Sequence, residues 1–298
     1  MPVSLYRKEK IAIIGLGRAG TAIGHLLCKA GYPIVAVTSR SRTSLEERIR
    51  YTGGRSFQAD ANAQAASLAT CIFITTPDDS IAPVCCEIAE KGGFKHGDKV
   101  IHMSGACGLD LLEPAKEAGA AVASIHPIQS FADIEGAVRN ITSSTFGVTA
   151  GDNLRDWSFA LVRELGGIPF EVPEAIKPLY HAAACLVSNY LTALIHMAEE
   201  IYLSLGLSRD EAIRAFWPLV RGTLNNIETR GTVQALTGPI ARGDEGTIKQ
   251  HLAVFSERLP SYLPSYRAMG LMTLELALKK NSLSPQKAGV IKKILEGG

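Results

Sequence analysis

Three glycines near the start of the chain have the spacing that a dinucleotide diphosphate requires. Gly15, Gly17 and Gly20 follow the apolar run Ile11–Ile14 directly. Such a run predicts a buried strand, and the helical pattern that begins at Ala22 predicts a helix N-terminus just after the turn. Gly15 permits the sharp turn, Gly17 leaves room for the diphosphate, and Gly20 lets the helix lie close to the strand. Free N–H groups of the first helical turn would then face the anion. The predicted cofactor-binding residues of this turn are Gly15, Leu16, Gly17, Arg18, Ala19 and Gly20.

The residues that end the second predicted strand indicate which dinucleotide is bound. An NAD site usually has Asp or Glu at this point to bind the ribose hydroxyls, whereas this chain has Ser39-Arg-Ser-Arg42. Guanidinium and hydroxyl groups would bind a 2′-phosphate by charge-assisted hydrogen bonds, and a carboxylate would repel it. We therefore predict NADP rather than NAD, with Ser39 and Arg40 as ligands. The alternative is a solvated basic turn.

Polar residues also stand at the ends of three later predicted strands. Ligands of an open parallel sheet lie at the carboxyl ends of its strands, so Thr75, Thr76, Pro77 and Ser104 are predicted to contact the cofactor. His126 follows a buried strand, where an imidazole could act as acid, base or substrate anchor. The alternatives are ordinary turn residues and a histidine paired with a neighbouring backbone group.

A second set of candidates lies at the start of the first long helical stretch. Lys177 and His181 are four residues apart and share a helix face with Ser188, which Asn189 follows. We take Lys177, His181 and Asn189, together with His126, as the catalytic candidates. Lys177 either faces the nicotinamide or is simply solvated.

The loop 236–244 holds two glycines, a proline and Arg242. The guanidinium of Arg242 offers a fork that could bind an anionic substrate. The alternative is a structural loop in which Arg242 pairs with Asp244, which can also cap the next helix.

The pattern of secondary structure changes near residue 170. Before this point buried-strand runs alternate with helical segments, and residues 60–67 look like an Ala-rich connector. After it, long helical patterns follow with no convincing strand, one of them opening on the capping box Ser208-x-x-Glu211. We predict the α/β class: a doubly wound, mostly parallel Rossmann sheet over residues 1–170, followed by an all-α domain over 171–298.

Bulk properties exclude several classes of protein. A net charge of +2 and 6% aromatic residues argue against a nucleic-acid surface. The six cysteines form no C-x-x-C motif, which is typical of a reducing compartment, and we expect a cytoplasmic protein. The apolar helix over 182–198 is interrupted by polar residues, so we expect no membrane span. His196-x-x-Glu199 lacks a third ligand, and we expect no metal site.

The N-terminal half resembles that of the 6-phosphogluconate-dehydrogenase-like superfamily, which includes pyrroline-5-carboxylate reductase, ketopantoate reductase and coenzyme-F420-dependent NADP oxidoreductase. The whole chain resembles a family that pairs a Rossmann-like domain with an all-α domain of unknown function. The motifs that carry this resemblance are His126-Pro-Ile-Gln-Ser-Phe131 and Leu236-Thr-Gly-Pro-Ile-Ala-Arg-Gly-Asp244.

This resemblance implies an NADP-binding oxidoreductase whose helical domain mediates homodimerisation and closes over the cleft. Ketopantoate reductases carry a catalytic lysine and asparagines early in their helical domain, and Lys177 and Asn189 occupy comparable positions at a different spacing.

Our leading hypothesis is an oxidoreductase that transfers a hydride between NADP(H) and a small polar carbonyl or imine compound. A non-catalytic protein that binds and responds to NADP is the alternative. A deazaflavin as the second hydride partner is a third possibility.

Overall fold

Eight strands form one sheet in the computed structural model, which describes residues 8–297. The spatial order is β3-β2-β1-β4-β5-β6-β7-β8, and every neighbouring pair is parallel except β6 and β7. The sheet is therefore doubly wound, and its direction of progression reverses between β1 and β4, as predicted. The strands are β1 Ile11–Ile14, β2 Ile34–Ser39, β3 Arg55–Gln58, β4 Cys71–Ile74, β5 Lys99–His102, β6 Ala121–Pro127, β7 Thr145–Ala150 and β8 Ile168–Glu171.

Helices cover both faces of this sheet, and the described residues after the last strand form further helices and the turns that join them. The helices up to the last strand are α1 Arg18–Lys29, α2 Arg42–Thr52, α3 Asn62–Ala66, α4 Asp78–Glu90, α5 Glu113–Glu117, α6 Ile134–Asn140 and α7 Asp152–Glu164. Those after it are α8 Lys177–Cys185, α9 Leu191–Ser204, α10 Arg209–Ala235, α11 Pro239–Arg242, α12 Glu245–Arg258, α13 Leu263–Lys279 and α14 Pro285–Glu296. Short 3₁₀ turns lie at Ala59–Ala61, Leu109–Leu112, Glu174–Ile176 and Pro260–Tyr262, and a π-helical turn at Leu186–Tyr190 joins α8 to α9.

Alternating side chains of the central strands fill two separate cores. Ile11 and Ile13 of β1 pack on one face of the sheet with residues of α1, α6 and α7. Ala12 and Ile14 pack on the other face with residues of α3, α4 and α5. Because both faces are covered, these strands are apolar throughout, which is why their sequence predicts them so clearly.

Two local predictions were wrong. The segment expected to be a connector contains α3, which buries Ala63, Ala65 and Ala66 beneath the sheet. Strand β3 was missed altogether, because it is an edge strand whose side chains are mostly exposed and carry no apolar pattern.

The described chain divides into two compact units, and the division falls after Tyr190. The last strand ends at Glu171, close to the predicted boundary at 170. The first unit nevertheless includes α8, because Lys177 and Tyr180 of this helix bind residues of the sheet strands.

The second unit is helical throughout its described residues. Ser208 caps α10 in the predicted capping box with Glu211, and the positive φ of Gly231 (76°) interrupts the helix near its end. Residues from α11 to α14, among them Ile248 and Ile291, form a third core. The combination of a Rossmann-type sheet with a helical unit confirms the predicted fold class.

Candidate functional sites

A crevice of about 670 Å³ lies at the carboxyl ends of β1, β2 and β4, where the sheet reverses direction. This is the point at which open α/β sheets bind their ligands. The residues that line it come from five neighbouring segments: Gly15, Leu16, Gly17, Thr38, Ser39, Arg40, Ser41, Ser44, Arg48, Ala59, Asn62, Thr75, Thr76, Pro77, Ser80, Val84 and Glu87.

The glycine turn has the geometry that its spacing predicts. Gly15 has φ +98°, and a Cβ there would lie 2.9 Å from Cγ2 of Thr76. A Cβ on Gly20 would lie 2.6 Å from the carbonyl oxygen of Gly15, so only glycine lets α1 approach the strand this closely. Gly17 is the N-cap of α1, and no side chain of the described chain caps this helix end. The first N–H groups of α1 are thus available to an anion.

The basic end of the crevice includes one predicted arginine and one that the sequence did not indicate. Ser39 and Arg40 line the crevice as predicted, next to Ser41, which caps α2 by accepting a hydrogen bond from the Ser44 N–H (3.2 Å). Arg48 also lines it, and its Nη1 donates to the carbonyl oxygen of Leu16 (2.9 Å). A position two turns along α2 gives no sequence signal for a ligand contact.

The acidic side chain that lines the crevice is paired with a lysine. Glu87 lines the crevice, and its Oε1 accepts from Nζ of Lys91 at 2.7 Å. Arg42, the second arginine of the predicted turn, is exposed and pairs with Glu46 at 3.1 Å outside the lining. Arg40 and Arg48 are therefore the guanidinium groups that a ligand in the crevice would meet.

Two buried polar atoms in the crevice wall lack a partner among the described residues. They are Oγ1 of Thr76 and Oδ1 of Asn62, both inaccessible to solvent. The neighbouring Thr75 differs, because its hydroxyl donates to the carbonyl oxygen of Gly15 at 2.6 Å. Unpaired buried polar atoms are costly, and both of these belong to residues that line the crevice. Asn62 was not predicted, since it lies in the segment that we took for a connector.

Four of the predicted cofactor residues do not line the crevice. Arg18 donates from Nη1 to the carbonyl oxygen of Ala132 (2.7 Å), Ala19 packs on the sheet core, and Gly20 is buried behind the turn. Ser104 is also buried, with its hydroxyl donating to Oδ2 of Asp78 at 2.8 Å.

Ser104 belongs to a buried polar cluster in which each hydrogen bond can be assigned. The Ser104 N–H donates to Nδ1 of His102 (3.1 Å), so Nδ1 is unprotonated. The proton of His102 is therefore on Nε2, which donates to the carbonyl oxygen of Gly108 (2.9 Å). Burial, assisted by the nearby charge of Lys177, lowers the pKa of His102 to about 4. His102 is thus neutral across the physiological range.

Lys177 completes this cluster. Its side chain is 1% exposed, and Nζ donates to Oγ of Ser124 (2.8 Å) and to the carbonyl oxygen of Ser104 (3.1 Å). Burial lowers the pKa of Lys177 to about 8. The alternative of a solvated lysine was wrong, because the ammonium is buried and binds the Ser124 hydroxyl within β6 and the Ser104 carbonyl just after β5.

A second cavity, of about 330 Å³, brings together three of the predicted catalytic residues. His126, His181 and Asn189 line it, and the two imidazole rings lie 5.9 Å apart. Burial, followed by the nearness of His181 and Lys177, lowers the pKa of His126 to about 4. The fourth candidate, Lys177, is not in the lining, but it binds the carbonyl of Ser104, and the next residue, Gly105, lies against His126 and His181.

Gly105 packs against two of the residues that line this cavity, His126 and His181. A Cβ there would lie 2.7 Å from Cε1 of His126 and 2.8 Å from Cδ2 of His181. Glycine is thus required for the imidazoles to approach the end of β5 this closely. The site residues of β6 and α8 are consequently packed against a single glycine that follows the end of β5.

Arg242 lies in the helical unit at the end of α11 and is exposed. Asp244 caps α12 by accepting from the Thr247 N–H (3.1 Å) and hydroxyl (2.7 Å). That a substrate anion binds Arg242 stays a prediction.

Among residues 8–297, no group of three or more His, Cys, Asp or Glu side chains is placed to hold a metal ion. No described helix combines the length and the apolar character needed to span a bilayer.

Two family models match the sequence in succession. Residues 5–127 match a model described as a Rossmann-like domain, and residues 144–273 match one described as a domain of unknown function, DUF2520. The chain therefore carries the pairing of domains that its motifs indicated. No curated protein matches the sequence significantly.

Solved structures share this fold over most of their length. A Bacteroides fragilis protein named "putative NADP oxidoreductase BF3122" is 20% identical, with 93% of this chain and 99% of that chain covered at a TM-score of 0.70. The pyrroline carboxylate reductase of Plasmodium falciparum with NADP bound is 14% identical, with 95% and 98% covered at a TM-score of 0.60. The imine reductase of Myxococcus stipitatus in complex with NADP+ is 15% identical, with 96% and 93% covered at a TM-score of 0.55.

Proposed function

Because the chain pairs a Rossmann-like domain with a DUF2520 domain, we propose that it is an oxidoreductase that binds NADP(H) in the crevice beside the glycine turn. Its substrate would be a small polar carbonyl or imine compound. The names of the structural neighbours support this class of reaction.

The observation that carries the cofactor assignment is the charge at the end of β2. Arg40, Arg48 and the hydroxyls of Ser39 and Ser41 line the crevice there, and the acidic residue in the lining, Glu87, is paired with Lys91. A 2′-phosphate would find guanidinium and hydroxyl donors at this point. The open N-terminus of α1 would bind the diphosphate, and the unpaired oxygens of Thr76 and Asn62 fit a ligand that donates hydrogen bonds.

Titration calorimetry with NADP+ and NAD+ tests this assignment. Replacing Arg40→Glu should weaken NADP+ binding by about 100-fold, because two charge-assisted contacts of about 1.4 kcal/mol each are lost or reversed. NAD+ binding should change by less than about threefold, since it has no 2′-phosphate. Arg42→Glu is the matched control: the same charge change just outside the crevice should leave both affinities nearly unaltered.

An equal loss of both dinucleotides in Arg40→Glu would contradict the role of Arg40 in choosing NADP. Absence of any binding to the unmodified protein would overturn the proposal as a whole.

We assign the chemistry to the second cavity and the polar cluster behind it. When bound, NADP(H) supplies or accepts the hydride. His126, His181 and Asn189 would bind and orient the substrate, and Lys177, with a pKa near 8, would stay mostly protonated at neutral pH in the cluster behind them. Turnover would be followed at the nicotinamide absorbance with a panel of imines, 2-oxo acids and 2-hydroxy acids. NADP binding without turnover of any of them would favour the non-catalytic alternative.

We further propose a homodimer through the helical unit. Ile213, Trp217, Leu224 and Ile227 recur on one face of α10 and are 37–47% exposed, which is unusual for a row of large apolar side chains. Light scattering of the purified protein should give twice the chain mass. Since all six cysteines are free thiols, we also place the protein in a reducing, cytoplasmic compartment.

A further inference from the structure

A tyrosine that the sequence analysis did not single out is bound to His126. The hydroxyl of Tyr180, on α8, lies 2.7 Å from Nδ1 of His126, on β6. The two rings are almost perpendicular, with centroids 5.6 Å apart, and Phe170 of β8 packs on the other side of Tyr180 at 5.8 Å. Tyr180 is therefore held in place by the strands on either side of β7.

The length of the contact indicates the direction of the hydrogen bond. O–H donors typically lie about 2.7–2.8 Å from their acceptors, whereas N–H donors typically lie about 2.9–3.0 Å from an oxygen. The 2.7 Å between the Tyr180 hydroxyl and Nδ1 of His126 therefore fits a bond that the tyrosine donates. Burial raises the pKa of Tyr180 to about 12, so the hydroxyl keeps the proton that it donates.

This direction fixes the tautomer of His126. A neutral imidazole whose Nδ1 accepts a hydrogen bond carries its proton on Nε2. Among the described residues none bonds Nε2, and this atom is not among the buried unpaired ones. Since His126 lines the second cavity, Nε2 is the ring nitrogen left for a ligand.

We propose that Tyr180 is a positioning residue that keeps the proton of His126 on Nε2, so that the second cavity accepts its substrate as a carbonyl or alcohol rather than as an iminium. This inference rests on the proposed function for the reaction itself. An N–H donor pairs with a carbonyl oxygen, whereas an iminium nitrogen carries a proton of its own and has no lone pair to accept the bond.

The reaction balances with this arrangement. In the reducing direction a hydride adds to the carbonyl carbon, the C=O π pair moves onto the oxygen, and the oxygen then takes one proton from solvent to give the alcohol. The Nε2–H bond strengthens as negative charge develops on that oxygen, which is the form of stabilisation that accelerates the step. His126 keeps its proton throughout.

Nitrogen NMR of the full-length protein with isotope-labelled histidine tests the tautomer without any knowledge of the substrate. The His126 signals would be assigned by their loss in His126→Gln. We expect a protonated Nε2 and an unprotonated Nδ1 between pH 6 and 8, and we expect Tyr180→Phe to shift the Nδ1 signal toward the average of exchanging tautomers. Tyr190→Phe, which removes an exposed hydroxyl from the adjacent π turn, should leave the His126 signals unchanged.

If Tyr180→Phe does not fold, Gly147→Ala is the second variant, because its Cβ would overlap the Tyr180 hydroxyl and displace it. A protonated Nδ1 in the unmodified protein, or His126 signals that neither variant alters, would overturn the proposal.

Kinetics then separate this inference from the proposed function. With a carbonyl substrate of the panel, Tyr180→Phe should lower kcat about tenfold with little change in the Kd for NADP(H). Imine turnover that exceeds carbonyl turnover would contradict the substrate class. A fixed Nε2 tautomer in a protein that turns over nothing would leave the positioning role intact while the oxidoreductase proposal fails.

Discussion

The crevice beside the glycine turn and the polar cluster around Ser104 are close in the fold and opposite in character. The crevice wall contains a helix end that no described side chain caps, and two buried oxygens with no partner among the described residues. In the cluster, Ser104, His102 and Lys177 bind one another or the backbone, and the pKa values of His102 and Lys177 are lowered by burial. The crevice leaves the first N–H groups of α1 free for the ligand that we propose. The cluster is complete without one and sets which groups hold protons.

This contrast predicts that changes in the cluster alter stability and its pH dependence, whereas changes in the crevice alter ligand binding. The largest effect should come from His102. Its pKa is about 4 in the folded protein and near 6.5 when unfolded, so the unfolded chain binds more protons between these values. The stability that this provides is present above pH 6.5 and is lost as the pH falls toward 4.

We expect the free energy of unfolding to fall by about 3 kcal/mol more in the unmodified protein than in His102→Gln between pH 7 and pH 4. Urea titrations at the two pH values measure this difference. His102→Asn is a second variant in case the longer amide does not fit. If the free energy of unfolding changed equally with pH in the unmodified protein and in a folded variant, burial in the cluster would not lower the pKa of His102.

The next largest effect concerns Lys177, whose burial should lower the stability of the folded protein. Its pKa of about 8 against 10.5 in the unfolded chain corresponds to about 3 kcal/mol of lost stability below pH 8. Removing the ammonium also removes two hydrogen bonds, of about 0.5–1 kcal/mol each. Lys177→Met should therefore stabilise the protein by about 2 kcal/mol at pH 7.

The direction in which stability changes with pH tests whether burial of the Lys177 charge is the cause. As the pH rises from 8 to 10.5, folded Lys177 loses its proton before the unfolded chain does, so the unmodified protein gains stability relative to Lys177→Met. The advantage of the variant should disappear by about pH 10.5. A variant that is less stable at pH 7 would show that the hydrogen bonds outweigh the burial of charge.

The same contrast explains which parts of the site could be predicted from the sequence. The strand, the glycine turn and the end of β2 lie in the fold where the sequence predicts them, because their signals are local: an apolar strand, glycines at fixed spacing and the polar residues that follow. The backbone conformation that they require, such as φ +98° at Gly15, can be predicted from three or four neighbouring residues.

The cluster and the second cavity depend on contacts that no local pattern encodes. Lys177 is paired with residues more than 50 positions earlier, and Tyr180 with His126 at a separation of 54. Asn62 and Arg48 reach the crevice from an Ala-rich helix and a mainly polar one, and neither sequence indicates a ligand contact. Residue type pointed to Lys177 and His126, but only the packing of α8 on the sheet shows that one is buried and that the other has a tyrosine partner.

The smallest expected effect gives the sharpest comparison, because it contrasts two adjacent threonines of the crevice wall. The Thr75 hydroxyl donates to the carbonyl oxygen of Gly15 at 2.6 Å, whereas Oγ1 of Thr76 is buried with no partner among the described residues. Valine has the shape of threonine without the hydroxyl, so each substitution removes one polar group and little else.

Without a ligand, Thr75→Val should lose about 1 kcal/mol of stability, since it deletes a hydrogen bond. Thr76→Val should gain about 1 kcal/mol, since it removes an unpaired group that costs free energy to bury. With saturating NADP+ the gain should vanish and the dinucleotide should bind about tenfold more weakly, if the Thr76 oxygen is completed by the cofactor. Urea titrations of both variants with and without NADP+ provide the four measurements. Equal losses of stability in the two variants without ligand would mean that the Thr76 hydroxyl is already paired. At this position the crevice would then not differ from the cluster, whose polar groups are paired without a ligand.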